Sequence, residues 1–483
     1  MVTDRKLTAL AEWTGIAVPA ACAPFLLFPQ QRWMWVLVVL PIPWLLRLMA
    51  KRRSFERTAL DPFLLVLVMM VGISVYATPD VELSLGKIAG VLLGVSFYCG
   101  LSQFANTETR LRWVIGAFLA GGIGVVVLGL IGTAWWIKYP TAGGLTTLFP
   151  TRLTGLPGAE NGFNPNAVGG ALILFVPLLA TLIVYYARRK NRSSGVHTLA
   201  LGASLAILLS MGGTLLLCQS RAAWLSLCGA LALASMLRFR VMRWAALGVC
   251  VAAVLLVLMY RPWVGWGSPG RFAESAEISL LQRVALWSQA VHAIQGAPFV
   301  GVGMNMFRKG VIIPPNLFYG SHDKDLAHCH NQLLQAALDL GIPGLVAYGA
   351  IWAGTLALLW RVWRHTRDSF HRTVALGLGC GLLAQFAFGI TDAIALGAKV
   401  GIFWWIALAL AASLDQLEIR DVDRASMSNS TSLRPQYALL MWGVLSLMSV
   451  ALVGSHPYVA LSIASAGGLC LGLAPVLCES RST

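Results

Sequence analysis

Long apolar runs, broken by short polar and mostly basic intervals, fill the chain from end to end. A helix needs roughly 20 mostly apolar residues to cross a bilayer, and the sequence supplies such runs repeatedly. They fall at 10-28, 33-50, 60-78, 87-105, 113-136, 166-187, 197-217, 222-237, 244-260, 341-360, 373-396, 400-414, 437-454 and 457-477. The runs at 222-237 and 400-414 are short for a bilayer. The pattern predicts an all-α polytopic membrane protein with about 12 core transmembrane helices and a C-terminal two-helix hairpin. One interval breaks the rhythm. Residues 261-340 form the longest polar stretch, yet Ile278 to Ala293 has apolar residues at helical spacing and His330 to Leu340 reads as another helix start. A long loop with structure of its own is usually functional. The expected organisation is therefore N-terminal membrane helices over 1-260, a large, partly helical outer loop over 261-340, and C-terminal core helices over 341-414. A cytoplasmic linker over 415-436 and an accessory hairpin and tail over 437-483 complete it. A second outer segment, Lys138 to Pro165, is rich in Gly, Thr, Asn and Pro.

Composition turns this pattern into a statement about solvent. Hydrophobic residues make up 57% of the 483 and charged residues only 12%, against about 25% charged in a soluble domain. So few charges cannot cover a water-facing surface, and the excess of apolar side chains faces lipid. The first run follows Lys6 without a small-x-small cleavage site and is expected to be a retained helix rather than a signal peptide. The nine cysteines are scattered, form no CxxC pair and give no disulfide framework.

The net charge of +16 would suggest nucleic acid in a soluble chain. Its placement argues otherwise. With the N-terminus in the cytoplasm, every second loop is basic, and two thirds of the 36 Lys and Arg residues lie on the cytoplasmic side. The remainder fall outside, where topology does not call for them: Arg32, Lys87, Lys138, Arg152, Arg221, Arg261, Arg271, Arg283, Arg308, Lys309, Lys324 and Lys399. Half of these lie in the long loop. No basic patch on a soluble module is found, which excludes nucleic-acid binding.

Candidate chemistry concentrates at His328-Cys329-His330-Asn331, just before an apolar run. On a helix, His330 would share a face with Leu333, Leu334 and Ala337, and an imidazole at a membrane surface can act as a general base. Two other readings stand beside this one. His330 caps the helix start, or His322, His328, Cys329 and His330 bind zinc. Against zinc, adjacent residues on a helix point apart and no pair has the usual ligand spacing, so no metal is expected. Gly341 and Gly344 flank Pro343 and let the chain turn.

The arginines are the second feature. Arg221 lies at the outer mouth between two apolar runs, where it is costly without a partner or a water-filled cavity. Arg283 lies in the loop helix. Guanidinium forks suit phosphate or carboxylate, while snorkelling or an ion pair with Glu274 or Glu277 is the plainer reading. Arg152 adds another outer cation, and Asn164-Pro165-Asn166 reads as a turn and helix start. There is no P-loop, no dinucleotide-type GxGxxG and no HExxH, so the energy for any synthesis must come with the substrate. A transporter would need paired ionisable groups at mid-membrane. Only Asp392 comes close, toward the outer end of its run and without an obvious partner.

With these residues in view, the chain resembles the bacterial O-antigen ligase family, part of a wider group with O-antigen polymerases and protein oligosaccharyltransferases. The family's loop motif, H-[NSQ]-x9-G-x-x-[GTY], is met by His330, Asn331, Gly341 and Gly344. Its R-x3-L motif is met by Arg221 to Leu225, its upstream loop arginine by Arg283, and the Asn-Pro-Asn element by Asn164 to Asn166. The resemblance implies a GT-C-like enzyme of the inner membrane with a periplasmic site. Such an enzyme moves a glycan from undecaprenyl diphosphate to the lipid A-core oligosaccharide by metal-free, inverting transfer, with no cofactor. It implies His330 as general base, Arg221 and Arg283 on the diphosphate, and Arg152, Asn331 and Asn166 as further substrate-binding residues. A polymerase would take a second lipid-linked glycan as acceptor, and a protein oligosaccharyltransferase a pilin hydroxyl. The C-terminal hairpin has no counterpart in the pattern.

Overall fold

A computed structural model describes residues 2–51, 58–135, 148–156, 159–189, 195–238, 244, 271–308 and 328–425. Among them the chain is all helical, with no strand beyond isolated bridges. In order come α1 (Val2–Leu27), α2 (Ile42–Lys51), α3 (Asp61–Ala77), α4 (Val81–Phe104), α5 (Glu108–Gly132) and α6 (Pro165–Ala187). Then follow α7 (Gly195–Leu217), α8 (Arg221–Arg238), α9 (Arg271–Gly296), α10 (Gln332–His365), α11 (Ser369–Thr391) and α12 (Ile402–Ala425). Side chains set several of the starts. Asp80, Thr107, Asn164 and Asp368 accept from backbone N–H groups in the first turns of α4, α5, α6 and α11, which would otherwise lack partners.

Eight stretches among the described residues are long and apolar enough to cross a membrane, which makes this a multi-pass membrane protein. They are α4, α5, α6, α7, α10 and α11, with Leu7–Leu27 and Lys399–Ile419. Large apolar side chains such as Leu65, Met69, Leu209 and Leu216 stay exposed on the outside of the bundle, as lipid permits. The expected run at 33-50 is not one span. It divides into a 3-10 helix, Gln31–Val38, and α2, because Pro41 and Pro43 remove backbone donors in its middle. The expected runs at 60-78 and 222-237 form α3 and α8, of 17 and 18 residues. α12 continues to Ala425, past the expected end at 414. The runs at 437-454 and 457-477, and 244-260 apart from Trp244, lie outside the described residues.

α11 is the centre of the bundle, packed on α6, α8 and α10. Gly377 and Gly381 bring its backbone against Pro177, Leu178 and Leu174 of α6, so closely that a Cβ at either glycine would overlap α6 backbone. Small residues permit such approach between membrane helices. The result is a rigid platform ending at Thr391.

α10 is 34 residues long but not straight. Tyr348 Oη donates to Gln332 Oε1 at 3.0 Å across 16 residues, a separation of about 24 Å in a straight helix. The chain folds back at Gly341, whose φ of 70° and ψ of 179° suit glycine. A side chain there would also strike the Phe299 carbonyl. Residues following α9 fill the bend: Ile342 N donates to Pro298 O and Val302 N to Leu338 O, both at 2.8 Å. The bend therefore leaves these backbone groups paired. Residues 332–340 form a short helix that returns the start of α10 to the level of Tyr348, against the C-terminal end of α11.

Candidate active site

Two side chains at the start of α10 fasten it to α11. Asn331 is the N-cap, its Oδ1 accepting from Leu333 N at 2.9 Å and Leu334 N at 3.0 Å. Its amide donates to Ile390 O at 3.1 Å, in the last turn of α11, where carbonyls lack helical partners. Gln332 Nε2 donates to Phe386 O at 3.0 Å. His330 lies outside the helix, with a left-handed φ of 56°. It shares no helical face with Leu333, and it is not the cap, since Asn331 takes that place. A left-handed residue at this point directs the imidazole away from the helix axis and across to α11.

There it meets Asp392, the residue that ends α11. Asp392 Oδ1 accepts from His330 Nδ1 at 3.0 Å and from Ala393 N at 2.9 Å. Oδ2 has no hydrogen-bond partner among the described residues, and Arg283 Nη2 of α9 stands 3.9 Å from it. His328 approaches Oδ1 through Nε2 at 3.9 Å, while its Nδ1 accepts from His330 N at 3.2 Å. The side chain of Asp392 is 5% exposed and that of His330 30%.

Charge states follow from these contacts. Burial alone would raise the Asp392 pKa, but the His330 hydrogen bond and the histidine pair hold it below the usual carboxylate value. A carboxylate only accepts, so His330 Nδ1 carries a proton toward Asp392, and Nε2 is the ring nitrogen turned away from it. Burial pushes His328 down to about 3, against the pull of Asp392, so it is neutral at pH 7. Its Nδ1 accepts, which puts its proton on Nε2, toward Asp392. Cys329 is buried and its thiol is pushed up to about 12 by burial, so it is no nucleophile. Its N–H donates to Gln335 Oε1 at 3.0 Å, and Gln335 Nε2 donates to Asp339 Oδ1 at 2.8 Å. The arrangement is a partly exposed imidazole oriented through Nδ1 by a buried carboxylate, with a guanidinium alongside.

Of the residues expected from sequence, His330 and Arg283 converge on Asp392. Arg221 begins α8, which packs on α11, and its side chain is exposed. Arg152 is exposed and joined through its backbone to Ile131 O at 2.7 Å. At the Asn-Pro-Asn element the cap is Asn164, and Asn166 contributes a backbone donor to it at 2.8 Å. Asn331 spends its side chain on the cap and on Ile390. Asp392 does have partners, contrary to the expectation from sequence, and the signal for it was a carboxylate at the end of an apolar run. It also changes the metal argument. His328, His330 and Asp392 each offer one ligand atom, all within 4.8 Å of one another, so spacing along the chain alone does not dismiss a metal.

Residues 205–349 match the family model described as O-Antigen ligase. The matched stretch holds Arg221, Arg283, His330, Gly341 and Gly344, while Arg152, Asn166 and Asp392 lie outside it. No curated protein matches the chain.

Proposed function

We propose that this chain, which carries an O-antigen ligase domain, transfers a glycan from undecaprenyl diphosphate to the lipid A-core oligosaccharide. The observation that carries the reading is the His330–Asp392 hydrogen bond with Arg283 beside the second carboxylate oxygen. An acceptor hydroxyl oxygen attacks the anomeric carbon and gives its proton to His330 Nε2. Asp392 stabilises the imidazolium that forms. The bond from the anomeric carbon to the diphosphate oxygen breaks on the opposite face, and configuration inverts. Arg283 and Arg221 meet the charge that develops on the leaving diphosphate, Arg152 and Asn166 are further substrate-binding residues, and Asn331 acts by holding the start of α10 on α11. In this reading the N-terminus is cytoplasmic, the site faces the periplasm from the inner membrane, and residues 261-340 form the loop that completes it.

The decisive experiment is transfer by the purified full chain, with the lipid-linked glycan as donor and three acceptors offered separately. Lipid A-core should be glycosylated, and a second lipid-linked glycan or a pilin should not. A preference for the lipid-linked glycan would instead make the chain a polymerase. The reaction is expected to survive exhaustive chelation. His330→Ala should insert normally and transfer nothing measurable; transfer at the parent rate would remove His330 as base.

A further inference from the structure

Beside the His330–Asp392 pair, the helices enclose a pocket whose wall contains no charged residue. Gln332, Tyr348 and Trp352 of α10, Gln385 of α11, Trp404 of α12 and the loop over 394–397 line it. The aromatic part is continuous: ring centres lie 5.3 Å apart for Trp352 and Trp404 and 5.6 Å apart for Tyr348 and Trp404. Gln332 is fully engaged, by Tyr348 at one end and Phe386 at the other. Three other polar groups are not. Gln385 Oε1, Trp352 Nε1 and Trp404 Nε1 have no hydrogen-bond partner among the described residues, although these residues are only 6%, 1% and 5% exposed. Buried polar atoms rarely remain unpaired, because each costs about 1–3 kcal/mol.

One orphaned acceptor and two orphaned donors, in an uncharged aromatic pocket, complement a group that donates once and accepts twice. A hydroxyl does this. A phosphate finds no cation in the wall, and an isoprenoid chain leaves all three polar atoms unpaired. The free space, ≈ 20 Å³, suits a hydroxyl-sized group. Gln332 stands two residues after His330 and Ile394 two after Asp392, so the pocket wall and the pair are built on the same two chain segments. We propose that the Gln385–Trp404 pocket is a hydroxyl socket that positions one sugar of a glycolipid substrate. This rests on the glycosyl-transfer reading, and the sugar belongs either to the donor glycan or to the acceptor.

The test uses the full chain in lipid nanodiscs and reads equilibrium binding without turnover. Three probes are compared: glycan-bearing undecaprenyl diphosphate, undecaprenyl diphosphate without a glycan, and lipid A-core. Trp404→Phe removes the N–H and keeps an aromatic ring; Gln385→Leu removes the acceptor. Each should weaken one glycolipid about tenfold and leave the glycan-free lipid unchanged. Weakening confined to the glycan-bearing donor assigns the socket to the donor, and weakening confined to lipid A-core assigns it to the acceptor. If both variants bind all three probes as the parent does, the pocket holds water only and the proposal falls. It falls equally if the glycan-free lipid is weakened as much, since the pocket is then mere support for the site. A chain that binds glycolipid through these residues but transfers nothing would overturn the reaction and not the socket.

Discussion

At each of their joint ends α10 and α11 meet a histidine, an arginine and at least one carboxylate, and the two ends behave differently. At the far end from His330, Arg361 grips Asp415 of α12 with contacts of 2.5 to 2.9 Å to both carboxylate oxygens. His371 Nδ1 meets Glu418 at 2.6 Å, and Thr366 Oγ1 donates to the same oxygen at 2.7 Å. At the near end, Arg283 stands 3.9 Å from Asp392, and His330 bonds it at 3.0 Å. Both imidazoles are oriented by a carboxylate through Nδ1. The difference is access: the His371 side chain is 7% exposed and that of His330 30%. A buried, oriented imidazole closes a helix junction, whereas an oriented imidazole with its other nitrogen within reach of a ligand can take a proton. The loose arginine fits the same contrast, since a fork already spent on one carboxylate has little left for a diphosphate.

The strongest way to break this comparison is to neutralise one acid at each end. Asp392→Asn keeps the shape but loses the charge that stabilises the imidazolium. Transfer should fall about 10²–10⁴-fold, the range for general acid–base catalysis. The fall should appear in kcat with donor KM little changed, because the interaction matters only as the proton moves. Glu418→Gln should leave the kcat of the folded enzyme alone. Equal losses from the two variants would mean that the ends do not differ in kind.

The next effect is on stability and runs the other way. Arg361→Ala leaves Asp415, 7% exposed, buried beside a lost partner, which costs about 3 kcal/mol and should lower the unfolding midpoint clearly. Arg283→Ala removes only a long contact and should change stability by less than about 1 kcal/mol, while weakening donor binding. Thermal unfolding and donor titration on the two variants read both halves. If Arg283→Ala destabilises as much as Arg361→Ala, Arg283 is a clasp and not a ligand-binding cation.

How far the sequence speaks depends on the distance between interacting residues. Apolar runs revealed most of the spanning helices, because each helix selects its own residues, and the error at 33-50 came from giving too little weight to Pro41 and Pro43. Gly341 was legible as a turn. Its fold-back was not, because Pro298 and Val302 supply the bonds that fill the bend. His330 was legible as a candidate, but not its left-handed backbone, which took it off the expected helix face. Asp392 lies 62 residues from His330, and nothing local links them. Its run ends in a carboxylate, and only the packing of α11 on α10 turns that ending into a partner.

The smallest effect separates the two ends by pH. His328 is held neutral by burial, with its pKa pushed down to about 3, whereas a free histidine titrates near about 6.5. Between these values the unfolded chain binds a proton that the folded chain refuses, so stability falls as pH falls. The loss reaches about 2 kcal/mol at pH 5. Asp392 does not disturb this window. Its pKa is held down, so its contribution is complete above about 3.9 and disappears only as pH falls further. Melting at pH 7 and pH 5 should therefore show a drop for the parent, and His328→Asn should narrow it. If the gap is unchanged, His328 takes up its proton in the folded chain. It would then form an ion pair with Asp392, and the near end would be a clasp like the far one.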